Sequence, residues 1–220
     1  MIFTYNREHV GDTLMVIVKD SQGAKLDVDR RGQVARVYLQ DSKETVAWNI
    51  FEVSSLIVIE GAGQITLSDQ DIKILNAELL KEGFEDSLVN NIEPTFVVAQ
   101  IKEMIDHPDS DHLHICQAEI NDGKTVQIVC GAPNASVGLK TVAALPGAMM
   151  PNGSLIFPGK LRGEDSFGML CSARELALPN APQVRGIIEL SDQVIVGESF
   201  DANKHCNFLS VMCCKKAISL

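Results

Sequence analysis

Cysteine and histidine are the residue types in this sequence that could support covalent catalysis. Cys130 or Cys171 could act as a nucleophile, with His107 or His112 as its base. Such a pair needs the base within hydrogen-bond reach of the thiol and a third group that orients the base. Both cysteines fall in strand-like or turn segments without these partners. We therefore expect no catalytic residues and no enzymatic activity.

Metal binding is the second chemistry that these residue types allow. Structural zinc sites show closely spaced pairs of cysteines or histidines. This sequence has no Cys-x-x-Cys pair. Three of its six cysteines lie in apolar runs, and the other three lie within the last fifteen residues. We therefore expect neither a bound metal nor a cofactor.

Net charge bears on whether the protein binds nucleic acid. The chain carries −10 in total, with −7 in residues 1–93 and −5 in residues 94–200. Proteins that bind nucleic acid usually present a basic surface that displaces counterions from the phosphates. Any RNA site here must be a local cluster of cations on an acidic body. That arrangement predicts moderate affinity with a shallow salt dependence.

Hydropathy indicates a folded protein outside the membrane. The hydrophobic content of 45% is ordinary for a globular protein. No apolar run approaches the roughly 18–20 residues that span a bilayer, and the first ten residues lack the pattern of a signal peptide. We expect a cytoplasmic protein with no membrane partner.

Residues 1–92 are predicted to form a small α+β domain of unknown role. Residues 12–18 are rich in β-branched side chains and predict a strand, and the alternating runs 33–39 and 45–50 predict a hairpin. Ser68 followed by Asp71 is a capping box, and apolar residues at helical spacing follow it. No phosphate-binding or catalytic motif occurs in this segment.

Residues 93–202 are predicted to form an all-β domain. Five short apolar runs are separated by turn residues, a spacing that suits a five-stranded barrel of about 100 residues. The predicted strands are 96–101, 113–120, 125–129, 141–145 and 155–157.

Several motifs in this second segment follow one another in a fixed order. They are residues 107–113, 128–134, 138–140, 161–163 with 166–169, and 171–176. In this order they resemble the EMAP-like tRNA-binding OB-fold, a domain found in phenylalanyl-tRNA synthetase β chains, in many methionyl-tRNA synthetases and as free-standing proteins. Residues 5–6, 10–14 and 48–51 look like the N-terminal domain of the free-standing YtpR-type proteins. With them the resemblance covers about residues 1–202.

The resemblance implies a set of residues that bind tRNA. Three are cations on segments that flank an OB-fold groove, and the others belong to the motifs. The set is Lys140, Lys160, Arg162, Asn134, Ser166, Met169, Ser172, Glu175 and His112.

Some of these residues have a structural alternative. Asn134 could bond backbone instead of facing RNA, Met169 could pack in the core, and Ser172 with Glu175 forms a capping box that predicts a short helix. His112 stands where the family commonly has lysine, which lowers the expected affinity because histidine is mostly neutral at pH 7.

The function expected from this resemblance is that of a tRNA-binding accessory protein. The second segment has few aromatic residues on which bases could stack, which favours recognition of folded tRNA by shape and backbone. The alternative is a chaperone or protein-interaction module on the same barrel. Two further interactions are expected: pairing of two copies as a homodimer, and binding to a translation-associated protein. Residues 203–220 do not resemble the family and are predicted to be a divergent end, a docking helix, or the product of a frame change or a cloning junction.

Overall fold

The computed structural model describes residues 1–90 and 93–205. The chain forms two compact units, Met1–Glu93 and Pro94–Leu220, which we call the N-terminal and C-terminal units. Both consist mostly of β-strands, and each has its own apolar core. Within the described ranges, no helix combines the length and apolar character that a membrane span requires. From residue 206 onward, the predicted divergent tail lies outside the described residues.

The described residues of the N-terminal unit form six strands, one α-helix and one 3-10 turn. They are β1 Ile2–Tyr5, β2 Thr13–Ile17, β3 Leu26–Arg31, β4 Val34–Leu39, β5 Thr45–Phe51, the 3-10 turn Val53–Ser55, β6 Gly63–Ile65 and α1 Asp69–Lys81. The strands form one antiparallel sheet in the order β3-β4-β5-β2-β1-β6. Side chains of α1 join the core on one face of this sheet.

The predicted hairpin and helix are confirmed. Along β5, Val46, Trp48 and Ile50 are buried while their neighbours are half-buried, as expected of a strand with one face on the core. Helix α1 begins after Ser68, whose Oγ accepts the Asp71 N–H at 3.1 Å. The Asp71 carboxylate accepts the Ser68 N–H at 3.0 Å, which completes the capping box.

Three strands of this sheet were not predicted. β1 and β6 are only four and three residues long, and β3 is rich in charged residues. The aliphatic residues of β3, Leu26 and Val28, are both exposed, so the strand has no buried face to produce an alternating pattern. It forms because its backbone pairs with β4, and its charged side chains suit the edge of a sheet.

Up to residue 205, where the described residues end, the C-terminal unit contains seven strands and a four-residue helix. They are β7 Phe96–Asp106, β8 His114–Asn121, β9 Lys124–Cys130, β10 Lys140–Ala144, β11 Gly159–Leu161, β12 Glu164–Ser166, β13 Met169–Leu170 and α2 Ala202–His205. Five strands form a sheet in the order β13-β10-β7-β8-β9. The two edge strands β13 and β9 also contact each other, so the sheet curls into an OB-like half-barrel. The hairpin β11–β12 lies beside β9.

The fifth strand of this sheet differs from the prediction. Residues 155–157 were expected to join the barrel, but Leu155 bridges to Met149, and the Ile156 N–H bonds to the Ala148 carbonyl at 2.9 Å. The turn at residues 151–153 folds this segment back on its own neighbours. β13 takes the fifth position by pairing with β10.

An ion-paired cluster lies among the last described residues of the C-terminal unit. His205 is only 1% exposed, stacks on the Phe200 ring, and places Nε2 2.9 Å from Glu198 Oε1. Lys204 also bonds to the Glu198 carboxylate. The hydrogen bonds from Lys204 and then His205 lower the pKa of Glu198 to about 2. The cluster therefore depends on an ionised carboxylate.

Replacing Glu198 with glutamine is expected to lower the free energy of unfolding by about 1–2 kcal/mol near neutral pH. The folded-state pKa of Glu198 lies below its ordinary value of 4.5, so the carboxylate stabilises the fold above pH 4.5. That contribution is lost as the pH falls from 4.5 towards 2. Denaturant unfolding followed by circular dichroism at neutral and acidic pH measures the difference.

The matched control for this experiment is Glu103→Gln. Glu103 is exposed and has no ion pair or hydrogen bond from its carboxylate to any described residue. Its replacement should change the unfolding free energy little at either pH. Equal losses in the two variants, or a Glu198→Gln effect that persists unchanged in acid, would show that the cluster does not stabilise the unit.

Candidate nucleic-acid interface

The hairpin β11–β12 carries two of the cations that the sequence analysis selected. Its turn is formed by Arg162 and Gly163, whose φ angles of 50° and 93° are typical of a tight hairpin turn. Arg162 Nη1 donates to the Asp109 carbonyl at 3.2 Å, and Lys160 Nζ pairs with the Asp165 carboxylate at 2.7 Å. Both cations are exposed, but each already has a partner within the protein.

A buried histidine holds this hairpin in place. His107 is 4% exposed, and its Nδ1 accepts the Asp109 N–H at 3.1 Å. The remaining proton is therefore on Nε2, which donates to the Leu161 carbonyl at 3.2 Å. Both ring nitrogens are occupied by backbone groups. This arrangement gives His107 a structural role and leaves no ring nitrogen to act as a base toward a thiol.

Three other predicted site residues bond to backbone. Lys140 Nζ donates to the carbonyls of Asp192 and Val194 at 2.7 and 2.8 Å. Ser166 Oγ accepts the Val129 N–H at 3.1 Å, which joins the hairpin to β9. The third residue, Asn134, holds a more distant segment of the chain.

The Asn134 side chain bonds to both backbone groups of one residue, Ile187, and we call this arrangement the Asn134 bracket. Its Nδ2 donates to the Ile187 carbonyl at 3.0 Å and its Oδ1 accepts the Ile187 N–H at 2.9 Å. A Cβ added at Gly186 would lie 2.8 Å from Asn134 Oδ1, so the bracket requires glycine there. Asn134 thus fixes the course of the chain through Gly186 and Ile187.

A cavity of about 270 Å³ lies beside this bracket. Residues 129–133, 169–170, 172, 174–175 and 185–187 line it, and we call it the arginine cavity because Arg174 and Arg185 are among them. It collects three of the predicted site residues, Met169, Ser172 and Glu175. Lys160, Arg162 and Lys140 are not part of its lining.

Arg174 and Arg185 were missed as site residues by the sequence analysis. Both side chains are exposed, and neither bonds or pairs with another group in the described part of the chain.

Of the seven cations between residues 94 and 200, four have protein partners: Lys102, Lys140, Lys160 and Arg162. Lys124 is the third cation without one, and it lies at the β8–β9 turn. No local signal distinguishes paired from unpaired cations, so sequence reasoning had no means of selecting the two arginines.

The predicted helix at Ser172 is wrong, although its capping bonds form. Ser172 N–H and Oγ both donate to Glu175 Oε2, at 2.7 and 2.6 Å, and the Glu175 N–H donates back to Ser172 Oγ. The chain makes a turn and no α-helix follows. Ala177 has a φ of 50°, and Pro179 disfavours helical geometry at the residue before it, so the turn cannot continue.

Two thiols lie in contact beside the cavity. Cys116 and Cys130 are buried on neighbouring strands, and Cys130 lines the cavity wall. Hydrogen bonding to Cys130 and burial raise the pKa of the Cys116 thiol, and the bond that Cys130 receives lowers the pKa of Cys130 to about 7. Burial raises the pKa of Cys171 to about 12.

Neither candidate nucleophile, Cys130 or Cys171, has a histidine among the groups that shift its pKa. His112 lies exposed in the turn before β8.

The curled barrel and its cavity define an OB-type binding module, and comparison with known proteins agrees. Residues 96–199 match the family described as "Putative tRNA binding domain", and residues 21–91 match a domain of unknown function, DUF4479. The "Putative tRNA-binding protein YtpR" of Bacillus subtilis is 40% identical over 196 residues, which are 89% of this chain and 97% of that protein. The chain belongs to the YtpR family.

The C-terminal unit also has relatives within much larger proteins. The phenylalanine–tRNA ligase β subunit of Ralstonia nicotianae is 40% identical over 144 residues, and that of Dechloromonas aromatica is 40% identical over 136. These matches cover 56% and 60% of this chain but only 18% and 16% of the ligase subunits. The matched part of the chain therefore corresponds to a small part of each ligase subunit.

Proposed function

We propose that this protein binds tRNA through its C-terminal unit and that the arginine cavity is the centre of the contact. One observation carries the proposal: Arg174 and Arg185, two of the three unpaired cations among the described residues of this unit up to residue 200, border the same cavity. Unpaired guanidiniums can donate to phosphate oxygens without first breaking a bond inside the protein. Membership of the YtpR family supports RNA as the ligand.

The hairpin cations are proposed as secondary contacts. The Lys160–Asp165 pair is exposed on both sides, so a phosphate could replace the carboxylate at little cost. Lys140 is less available, because it is half-buried and its Nζ donates to two carbonyls of the 192–194 segment. Asn134 and Ser166 contribute by holding the backbone that shapes the cavity and the hairpin.

Replacing both Arg174 and Arg185 with glutamine is expected to weaken tRNA binding at least about tenfold and to reduce the salt slope by about 2. The physical reason is the loss of two phosphate contacts, each of which displaces a counterion. Filter binding with bulk tRNA over a series of salt concentrations measures both quantities.

Lys124→Gln is the control for the two single arginine variants. It removes one unpaired positive charge from the same unit, away from the cavity, and should change affinity much less than Arg174→Gln or Arg185→Gln. Equal effects of all three replacements would show that only total charge matters. No retention of tRNA at low salt would remove the proposed function and favour the chaperone or protein-interaction alternative.

Further parts of the proposal concern the whole protein. We propose that it is not an enzyme, which is supported by His107, whose two ring nitrogens are both occupied by backbone groups, and by His112, which lies exposed in a turn. We place it in the cytoplasm, where tRNA is used, and propose a homodimer or a translation-associated protein as additional partners. The packing of α1 into the core of the N-terminal sheet supports assigning that unit to the α+β class.

A further inference from the structure

The arginine cavity combines two chemically different surfaces. Its floor includes the buried residues Val129, Leu170 and Ile187, and its rim carries the exposed guanidinium groups of Arg174 and Arg185. A bare anion would use the rim and leave the floor in water. A neutral apolar ligand would use the floor and leave the guanidiniums without a partner. A ligand that has both a ring and a phosphate matches the whole cavity.

The walls of the cavity are fixed before any ligand arrives. The Asn134 bracket holds Ile187, and the bonds between Ser172 and Glu175 hold a second segment of the lining. The Ile188 N–H donates to the Cys171 carbonyl at 2.9 Å and ties these two segments together. A preformed site binds its ligand with little loss of conformational entropy.

The size of the cavity excludes helical RNA from its interior. A volume of about 270 Å³ is close to the lower end of the range for small-molecule sites. A base-paired helix cannot enter such a space, whereas an unpaired base can leave its stack and insert into it. Glu175, the acidic residue of the lining, is held in place through its Oε2 by Ser172, and Arg174 and Arg185 are the cations of the lining that can donate to an anion.

We propose that the arginine cavity holds one unpaired nucleotide of the bound RNA. The base lies against the apolar floor, and the adjoining phosphate accepts hydrogen bonds from Arg174 and Arg185. This inference rests on the proposed RNA-binding function and makes it more specific. Recognition then includes one single-stranded position in addition to the shape of the folded RNA.

The test compares a blunt RNA duplex with the same duplex extended by short unpaired adenosine tails at its 3′ ends. Fluorescence anisotropy on the full chain gives the affinity for each RNA, and the ratio of the two affinities is the readout. For the unmodified protein the tails should tighten binding about tenfold. In the Arg174→Gln/Arg185→Gln variant the ratio should fall to about one, because the inserted nucleotide loses its phosphate contacts. Lys124→Gln should keep the ratio of the unmodified protein.

The ratio separates failure of this inference from failure of the proposed function. If the unmodified protein retains tRNA but binds the two duplexes equally, the inference is overturned and the proposed function stands. The inference is also overturned if the double variant weakens both duplexes by one common factor, since the arginines would then act only as general cations. If the unmodified protein retains neither tRNA nor tailed duplex, both conclusions fail together.

Discussion

Replacing Gly168 with alanine is expected to lower the free energy of unfolding of the C-terminal unit by roughly 3–5 kcal/mol. Gly168 has a φ of +154°, a conformation that residues with a Cβ rarely adopt. The added Cβ would lie 2.7 Å from the Ala144 carbonyl oxygen. That oxygen belongs to β10, which cannot move without disturbing the sheet. The clash would push β13, which carries part of the cavity wall, away from β10.

Gly123→Ala is the matched control for the Gly168 prediction. Gly123 also has a positive φ, +78°, but no atom lies within 4 Å of an added Cβ. It should show the cost of the backbone conformation alone, about 1 kcal/mol. Scanning calorimetry and denaturant unfolding of the full chain measure both variants. Similar losses of unfolding free energy for the two glycine variants would show that β13 can shift to relieve the clash. The close approach of Gly168 to β10 would then add no cost of its own.

Replacing Trp48 with alanine is expected to destabilise the N-terminal unit by about 3–5 kcal/mol. Trp48 is 1% exposed and is among the largest fully buried side chains. Its ring meets Phe84 edge-on, with 5.0 Å between ring centroids, and it shares its core with Leu75 and Leu79 of α1. Alanine would leave a cavity between the sheet and the helix that the surrounding side chains could fill only in part.

Trp48→Phe separates lost volume from lost aromatic contact. Phenylalanine keeps a ring opposite Phe84 and should cost much less than alanine. Because Trp48 is the single tryptophan of the chain, the unfolding of both variants must be followed by circular dichroism. A loss below about 1 kcal/mol for Trp48→Ala would show that the N-terminal core does not depend on this contact.

Signals between near neighbours in the chain were sufficient to predict the hairpin β4–β5 and helix α1. The alternation along β5 and the capping box at Ser68 involve residues no more than a few positions apart, so each element carries its own signal. Strand β3 carries no such signal. Its backbone is satisfied by β4, and its side chains face solvent.

The fifth barrel position illustrates a limit of pattern reasoning. Residues 155–157 are more apolar than the region around β13, yet they pair with residues 148–149 across a tight turn. Gly168 permits the close approach that brings β13 to β10 instead. A backbone conformation and a long-range pairing determined this strand, and neither produces a periodic pattern of apolar residues.

The amino-acid sequence alone was enough to establish the family, the barrel segment and the motif residues Met169, Ser172 and Glu175 that meet at one cavity. It could not show which cations are available to a ligand. Lys140 and Arg162 bond to carbonyls more than fifty residues away in the chain, while Arg174 and Arg185 have no partner in the described residues. Whether a charge is free depends on which backbone groups folding brings within about 3 Å of it, and that distance is a property of the folded chain.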